Sequence, residues 1–253
     1  MSRNHLKLAG VLASVLCVAC SAPPPQDEGD AGGRHYGQIA FKPCTLTGPV
    51  AAANVEAQCG TLSVPENPAA PQGRKIDLRI AWLDADNTGN GLPDPVFFLA
   101  GGPGQAASEV ALPVSTALRQ VRKQRDIFLI DQRGTGGSNP LSCLGADGKE
   151  LQLDEDAAPT EAVMRDFATQ CLASLKGRAD PRFYTTTEAI ADLDAVRQAL
   201  GAEKLNLVGG SYGTRVAQRY AMAYPQHTRS IVIDGVVPND LVVGGEFAKT
   251  FDN

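Results

Sequence analysis

Ser211 stands in Gly209-Gly210-Ser211-Tyr212-Gly213, directly after an apolar run, Leu205-Asn206-Leu207-Val208, and directly before a helix-like stretch from Thr214 to Ala221. Strand, tight turn and helix, with serine at the apex, is the arrangement that holds a hydroxyl out above a sheet as a nucleophile. The turn strains the serine backbone. Gly209 and Gly213, two residues before and two after, avoid clashes that a Cβ would cause. The chemistry expected is acyl transfer through an attacking serine. The chain has 26 glycines, so the pentapeptide also arises by chance, and its meaning depends on what accompanies it.

Two further motifs lie upstream. Gly101-Gly102-Pro103-Gly104 follows the apolar run Val96–Ala100, and Asp131-Gln132-Arg133-Gly134-Thr135-Gly136-Gly137-Ser138 begins where the run from Asp126 ends. Acyl transfer needs hydrogen-bond donors aimed at the oxyanion of the tetrahedral intermediate. Glycines let the backbone approach a substrate. Pro103 has no N–H, so Gly102 is the candidate donor, joined by the N–H of Tyr212 after the nucleophile. Alone, G-G-P-G reads as a turn. With the elbow downstream it reads as an oxyanion loop, with Gly101, Pro103 and Gly104 shaping it. Asp131 and Arg133 sit at a strand's carboxyl end, where α/β sites form. Both read as structural braces, Arg133 through fork-shaped hydrogen bonds. Ser138 reads as a turn serine.

These residues need strands and helices to carry them. Val96–Ala100 and Asp126–Asp131 are continuous apolar runs of the kind buried on both faces of a parallel sheet. Lys75–Trp82 alternates apolar and polar, which predicts a half-buried antiparallel strand at a sheet edge. Cys59–Val64 reads as a short strand. Ala107–Lys123 is helix-like despite Pro113. A looser region, Gly134–Asp180, carries one helix near Glu161–Leu175. Thr185 and Glu188 have capping-box spacing, Ile190, Leu193, Val196 and Leu200 form a stripe, and Gly201 ends that helix. The elbow helix runs to Tyr224-Pro225, and Ser230–Asp234 is a further strand. The alternation predicts an α/β fold with a mostly parallel sheet flanked by helices.

The chain has 253 residues, 43% hydrophobic, and a net charge of -5, enough for one large core. No basic run or aromatic-basic interleaving suggests nucleic acid. Residues 1–19 read as a signal peptide, with Arg3 and Lys7 before an apolar segment too short to span a bilayer. Cys20 reads as a lipidation site, giving an envelope lipoprotein anchored in the membrane; a plain secretory signal is the alternative. Residues 20–35 read as a flexible tether, rich in proline and glycine, and residues 36–253 as the folded domain. Cys44, Cys59, Cys143 and Cys171 suggest disulfides in an exported chain. Of three pairings, Cys44–Cys59 and Cys143–Cys171 each close a local loop. No C-x-x-C pair exists, so zinc and redox readings are weak; no metal or cofactor is expected.

Leu99–Gly104, Asp131–Gly136 and Gly209–Thr214 occur in the order and spacing of the proline iminopeptidase and tripeptidyl aminopeptidase family of α/β hydrolases. The chain resembles that family from about Cys44 to Pro238, Ala191–Arg197 and Asp234-Gly235-Val236 included. The resemblance implies an α/β-hydrolase fold and an exopeptidase acting on peptides through Ser211. Proline iminopeptidases usually carry His and Trp where this chain has Ala100 and Tyr212. Ser-Tyr-Gly-Thr, export and the Cys44/Cys59 pair look more like the secreted tripeptidyl aminopeptidases, which speaks against strict N-terminal proline specificity.

A serine needs a base, and the base needs an orienting acid. His227 lies at the turn after the elbow helix, on the end of the sheet opposite the site; His35 is near the tether and His5 in the signal. Asp234 is on the correct side and reads as a loop residue. In the resembled family the catalytic Asp and His come later, past a helical cap. The chain therefore reads as the N-terminal part of a longer hydrolase, with cap and last strands absent, inactive alone and prone to aggregate through apolar sheet edges. Two other readings keep the fold: an esterase or lipase acting on small esters, and an inactive envelope lipoprotein serving as a binding module.

Overall fold

A computed structural model describes residues 33–48, 54–87, 91–153 and 160–242. The signal peptide, Cys20 and most of the expected tether lie outside the described residues. So does the tail from residue 243.

The described residues form one eight-stranded sheet. Its strands are β1 (Arg34–Tyr36), β2 (Ile39–Thr47), β3 (Asn54–Pro65), β4 (Lys75–Leu83), β5 (Val96–Leu99), β6 (Ile127–Ile130), β7 (Leu205–Gly210) and β8 (Thr228–Asp234), in the order β1-β2-β3-β4-β6-β5-β7-β8. β6, β5, β7 and β8 run parallel, and β1 to β4 add an antiparallel half. The helices are α1 (Ala111–Ala117), α2 (Arg119–Arg122), α3 (Glu161–Leu175), α4 (Thr186–Leu200) and α5 (Tyr212–Ala223).

The continuous apolar runs behave as their composition demands. In β5, Phe97 and Leu99 face a core shared with α4 and α5, through Leu193, Val196, Val216 and Tyr220. Val96, from the same strand, faces a second core with Val114 of α1. β6 alternates likewise, with Phe128 and Ile130 on one side and Ile127 and Leu129 on the other. Each such buried side chain contributes about 1.5–3 kcal/mol.

Three expectations need correction. β4 is not at an edge: it pairs with β3 on one side and β6 on the other. Its alternation reflects one solvated face, since Ile76, Leu78 and Ile80 are buried between more exposed Lys75, Asp77 and Arg79. The Ala107–Lys123 segment is not one helix. A 3-10 turn, Ala107–Val110, leads into α1, and the chain breaks again at Leu118 before α2. Pro113 fits because it lies in the first turn of α1, where the missing N–H has no helical acceptor. Finally, Arg34 and His35 belong to β1 and not to the tether, because β1 zips onto β2.

β2 escaped sequence reading because Pro43 interrupts it. β1 covers only Ile39 to Phe41 of its outer edge, so Pro43 sits where no ladder donor is required. Disulfides join Cys44 to Cys59 and Cys143 to Cys171. The first ties β2 to β3 and the second ties α3 to the loop after β6. The Cys44–Cys59 closure spans 15 residues, worth about 3 kcal/mol of unfolding free energy. A Cys44→Ala/Cys59→Ala variant should lose about that much in urea unfolding; an unchanged midpoint would contradict it.

Candidate active site

The elbow is formed as its sequence requires. Ser211 lies between the end of β7 and the start of α5 with φ 52 and ψ -122, a backbone state that costs an L-residue roughly 1–3 kcal/mol. Its side chain is exposed. Its N–H donates to the Asp234 carbonyl at 2.8 Å, tying the apex to the end of β8. The Thr214 hydroxyl donates to the Ser211 carbonyl at 2.6 Å and accepts from Val237 N–H at 2.8 Å. A Cβ on Gly209 would lie 2.4 Å from the Gly213 carbonyl oxygen, and one on Gly213 would lie 2.0 Å from the Leu99 carbonyl oxygen. The first turn of α5 is therefore seated directly on the end of β5. Gly213→Ala should cost about 3 kcal/mol in stability and shift Ser211, read by urea unfolding. Wild-type stability in that variant would contradict the packing.

The glycine loop meets the serine. A Cβ on Gly101 would lie 3.1 Å from Ser211 Cβ and 3.6 Å from its Oγ. Gly102 and Gly104 have φ 103 and 110, which exclude most side chains. The Gly102–Pro103 bond is cis. Among the described residues, neither Gly102 N–H nor Tyr212 N–H donates a hydrogen bond. An open apolar cleft of about 530 Å³ runs beside Ser211, between Gly101, Val114 and Leu118 on one side and Val208 and Gly235 on the other. β8 beyond it is the sheet's edge among the described residues, with Ile231, Val232 and Ile233 exposed.

Asp131 and Arg133 lie away from the serine and hold the loops around it. Asp131 is buried and accepts from Ser108 N–H and Oγ, each at 2.9 Å, and from Gly137 N–H at 3.0 Å. It pins the end of the glycine loop to the turn after β6. Ser138 is buried; its Oγ donates to the Asp131 carbonyl at 2.7 Å and accepts from Arg79 N–H at 2.8 Å. Arg133 is buried and grips Asp192 of α4 with two donors, each at 2.6 Å. It also donates to the carbonyls of Glu66 at 2.9 Å and Phe183 at 2.6 Å. Burial pushes the Asp192 carboxyl up, and the two Arg133 donors oppose that. Buried Glu66 accepts from Asp180 N–H at 2.9 Å and the Tyr184 hydroxyl at 3.0 Å. Burial pushes Tyr184 up to about 12, so it stays a donor.

Sequence reasoning missed Ser108, Asp192, Glu66 and Thr186, whose hydroxyl lies 2.5 Å from that of Tyr212. A signal existed only for Asp192, a carboxylate between the apolar stripe residues Ile190 and Leu193. His227 sits in the turn before β8 and its Nδ1 meets the Glu203 carbonyl at 3.0 Å, on the end of the sheet opposite Ser211. His35 lies on β1, six strands from β7, or roughly 29 Å at strand spacing. Among the described residues no side chain hydrogen-bonds the Ser211 hydroxyl, and no group of three His, Cys, Asp or Glu could hold a metal ion.

With that geometry stands the match of residues 94–252 to the family model for the alpha/beta hydrolase fold. The chain belongs to the α/β-hydrolase fold family. Among its relatives, serine protease Hip1 of Mycobacterium tuberculosis (strain ATCC 25618 / H37Rv) is 32% identical over 214 residues, covering 79% of this chain and 40% of that protein. Tripeptidyl aminopeptidase of Streptomyces lividans is 33% identical over 193 residues, covering 71% and 35%. The solved proline iminopeptidase-related protein of Thermus thermophilus aligns over 68% of this chain and 43% of its own, at 20% identity and a TM-score of 0.40. The chain thus spans 40% and 35% of the length of these two curated relatives. The order of motifs along this α/β hydrolase places the elbow after β7 and the glycine loop after β5, on neighbouring strands.

Proposed function

We propose that this α/β hydrolase is an exported serine exopeptidase of the tripeptidyl aminopeptidase kind, with Ser211 as nucleophile. The observation that carries the reading is an exposed serine at a strained apex with the glycine loop in van der Waals reach. Ser211 Oγ attacks the peptide carbonyl carbon while its proton passes to a base. The oxygen, now negatively charged, takes the N–H groups of Gly102 and Tyr212. As the intermediate collapses, the C–N bond breaks and the amine departs with that proton. Water then hydrolyses the acyl-serine and restores the hydroxyl. Two such preorganised donors account for roughly 10²–10³-fold in rate apiece.

The peptide preference draws support from the names of the relatives, which are peptidases. Export draws support from the apolar leader of residues 1–19 and from two disulfides, which persist in oxidising compartments. Lipidation at Cys20 would anchor the protein at the membrane. The test is turnover by the full-length protein of tripeptide p-nitroanilides with free and with blocked N-termini. Cleavage of the free peptides alone is the expected result. Turnover of p-nitrophenyl esters with no peptide cleavage would replace this reading by that of an esterase.

A further inference from the structure

Helices α4 and α5 lie side by side and are bonded by hydroxyl groups at two heights. Thr186 Oγ1 meets the Tyr212 hydroxyl at 2.5 Å, and the Tyr220 hydroxyl donates to Asp194 Oδ1 at 3.0 Å. Thr186 and Asp194 are eight residues apart, as are Tyr212 and Tyr220. Two parallel helices with the same rise keep that register, so the two bonds are rungs of one ladder, about 12 Å apart.

The rungs do different things. The lower one joins buried groups: Asp194 also holds Arg197 at 2.7 Å and Gln198 at 2.7 Å. The upper one ends on Tyr212, whose backbone N–H is an oxyanion donor in the proposed reading. Tyr212 is the first residue of α5, where no helical bond restrains its amide. Its neighbour Ser211 is already in a strained conformation. Thr186, in contrast, is well anchored. It opens α4, behind a capping box made by Thr185 and Glu188, and α4 is clamped one to two turns further on by the Arg133–Asp192 pair. A fixed hydroxyl on α4 thus grips the side chain of Tyr212, in addition to the packing of that ring against the core.

We propose that Thr186 is a positioning residue for the oxyanion donor: its hydroxyl, bonded to that of Tyr212, fixes the direction of the Tyr212 N–H beside Ser211. The inference rests on the reading of Ser211 as nucleophile. A donor misdirected by a few tenths of an ångström still lets a substrate bind but stabilises the transition state less. The loss therefore falls on the chemical step and not on binding.

The test uses the full-length protein and a fluorophosphonate probe, whose attack by Ser211 passes through an oxyanion at phosphorus and expels fluoride. Thr186→Val and Tyr212→Phe should each lower kinact about fivefold with KI unchanged, the size of one lost hydrogen bond. The double variant should be no slower than either single one, and Thr186→Ser should restore the rate. Tyr220→Phe, which breaks the lower rung, should lower thermal stability and leave kinact alone. Should Thr186→Val not fold, Tyr212→Phe alone carries the test, since it keeps the N–H. A Thr186→Val protein labelled at the wild-type rate would overturn this proposal while leaving the nucleophile intact. So would a change confined to KI, or additive losses in the double variant. A wild-type protein that the probe does not label would overturn both.

Discussion

Replacing Ser211 by glycine is expected to abolish hydrolysis by the full-length protein, by about 10⁴- to 10⁶-fold, and to make the protein more stable. The two effects share one cause. At φ 52 and ψ -122 an L-residue carries roughly 1–3 kcal/mol of strain. Glycine adopts that state freely but has more freedom to lose on folding, about 1 kcal/mol. The net gain is about 1 kcal/mol, visible as a rise in melting temperature. Ser211→Ala should lose the same activity with no such gain, because alanine keeps the Cβ. A glycine variant less stable than the alanine one would show that the apex is not strained.

Arg133→Met should cost about 3–5 kcal/mol, because it strands a buried carboxylate. Arg133 gives two donors to Asp192 and others to the carbonyls of Glu66 and Phe183. No water replaces them easily at a residue buried to 5% exposure. The double variant Arg133→Met/Asp192→Leu should be more stable than Arg133→Met, since it removes the stranded charge along with its partner. The deficit should also depend on pH. Burial pushes the Asp192 carboxyl up, and without Arg133 nothing opposes that. The folded variant then holds its proton more tightly than the unfolded chain does, so stability falls as pH rises through the carboxylate range and is regained on acidification. Urea unfolding between pH 4 and 7 measures this. A deficit independent of pH would mean that Asp192 finds another partner.

Legibility tracked the range of the constraint. The elbow could be read because Gly209, Ser211 and Gly213 satisfy one another within five residues. The Thr185–Glu188 cap and Gly201 stop were equally local, and α4 has both. Phe97 and Phe128 announced strands buried on two faces by composition alone. What stayed hidden depends on partners far apart in the chain. Arg133 and Asp192 are 59 residues apart, and Glu66 and Tyr184 are 118 apart. No periodicity marks such pairs. β2 was hidden for a different reason: Pro43 speaks against a strand until one knows that β1 stops short of it. The position of β4 inside the sheet depended in turn on β2 and β3 beyond it. Thr186 carries no signal in the sequence, and only the register of α4 against α5 sets it against Tyr212.

In the proposed function Ser211 is the hydrolytic nucleophile. Mapping the fluorophosphonate adduct on the full-length protein by mass spectrometry tests it most directly. The expected result is a single adduct on the peptide containing Ser211, absent in Ser211→Ala. An adduct on another residue, or none in a folded protein, would contradict it.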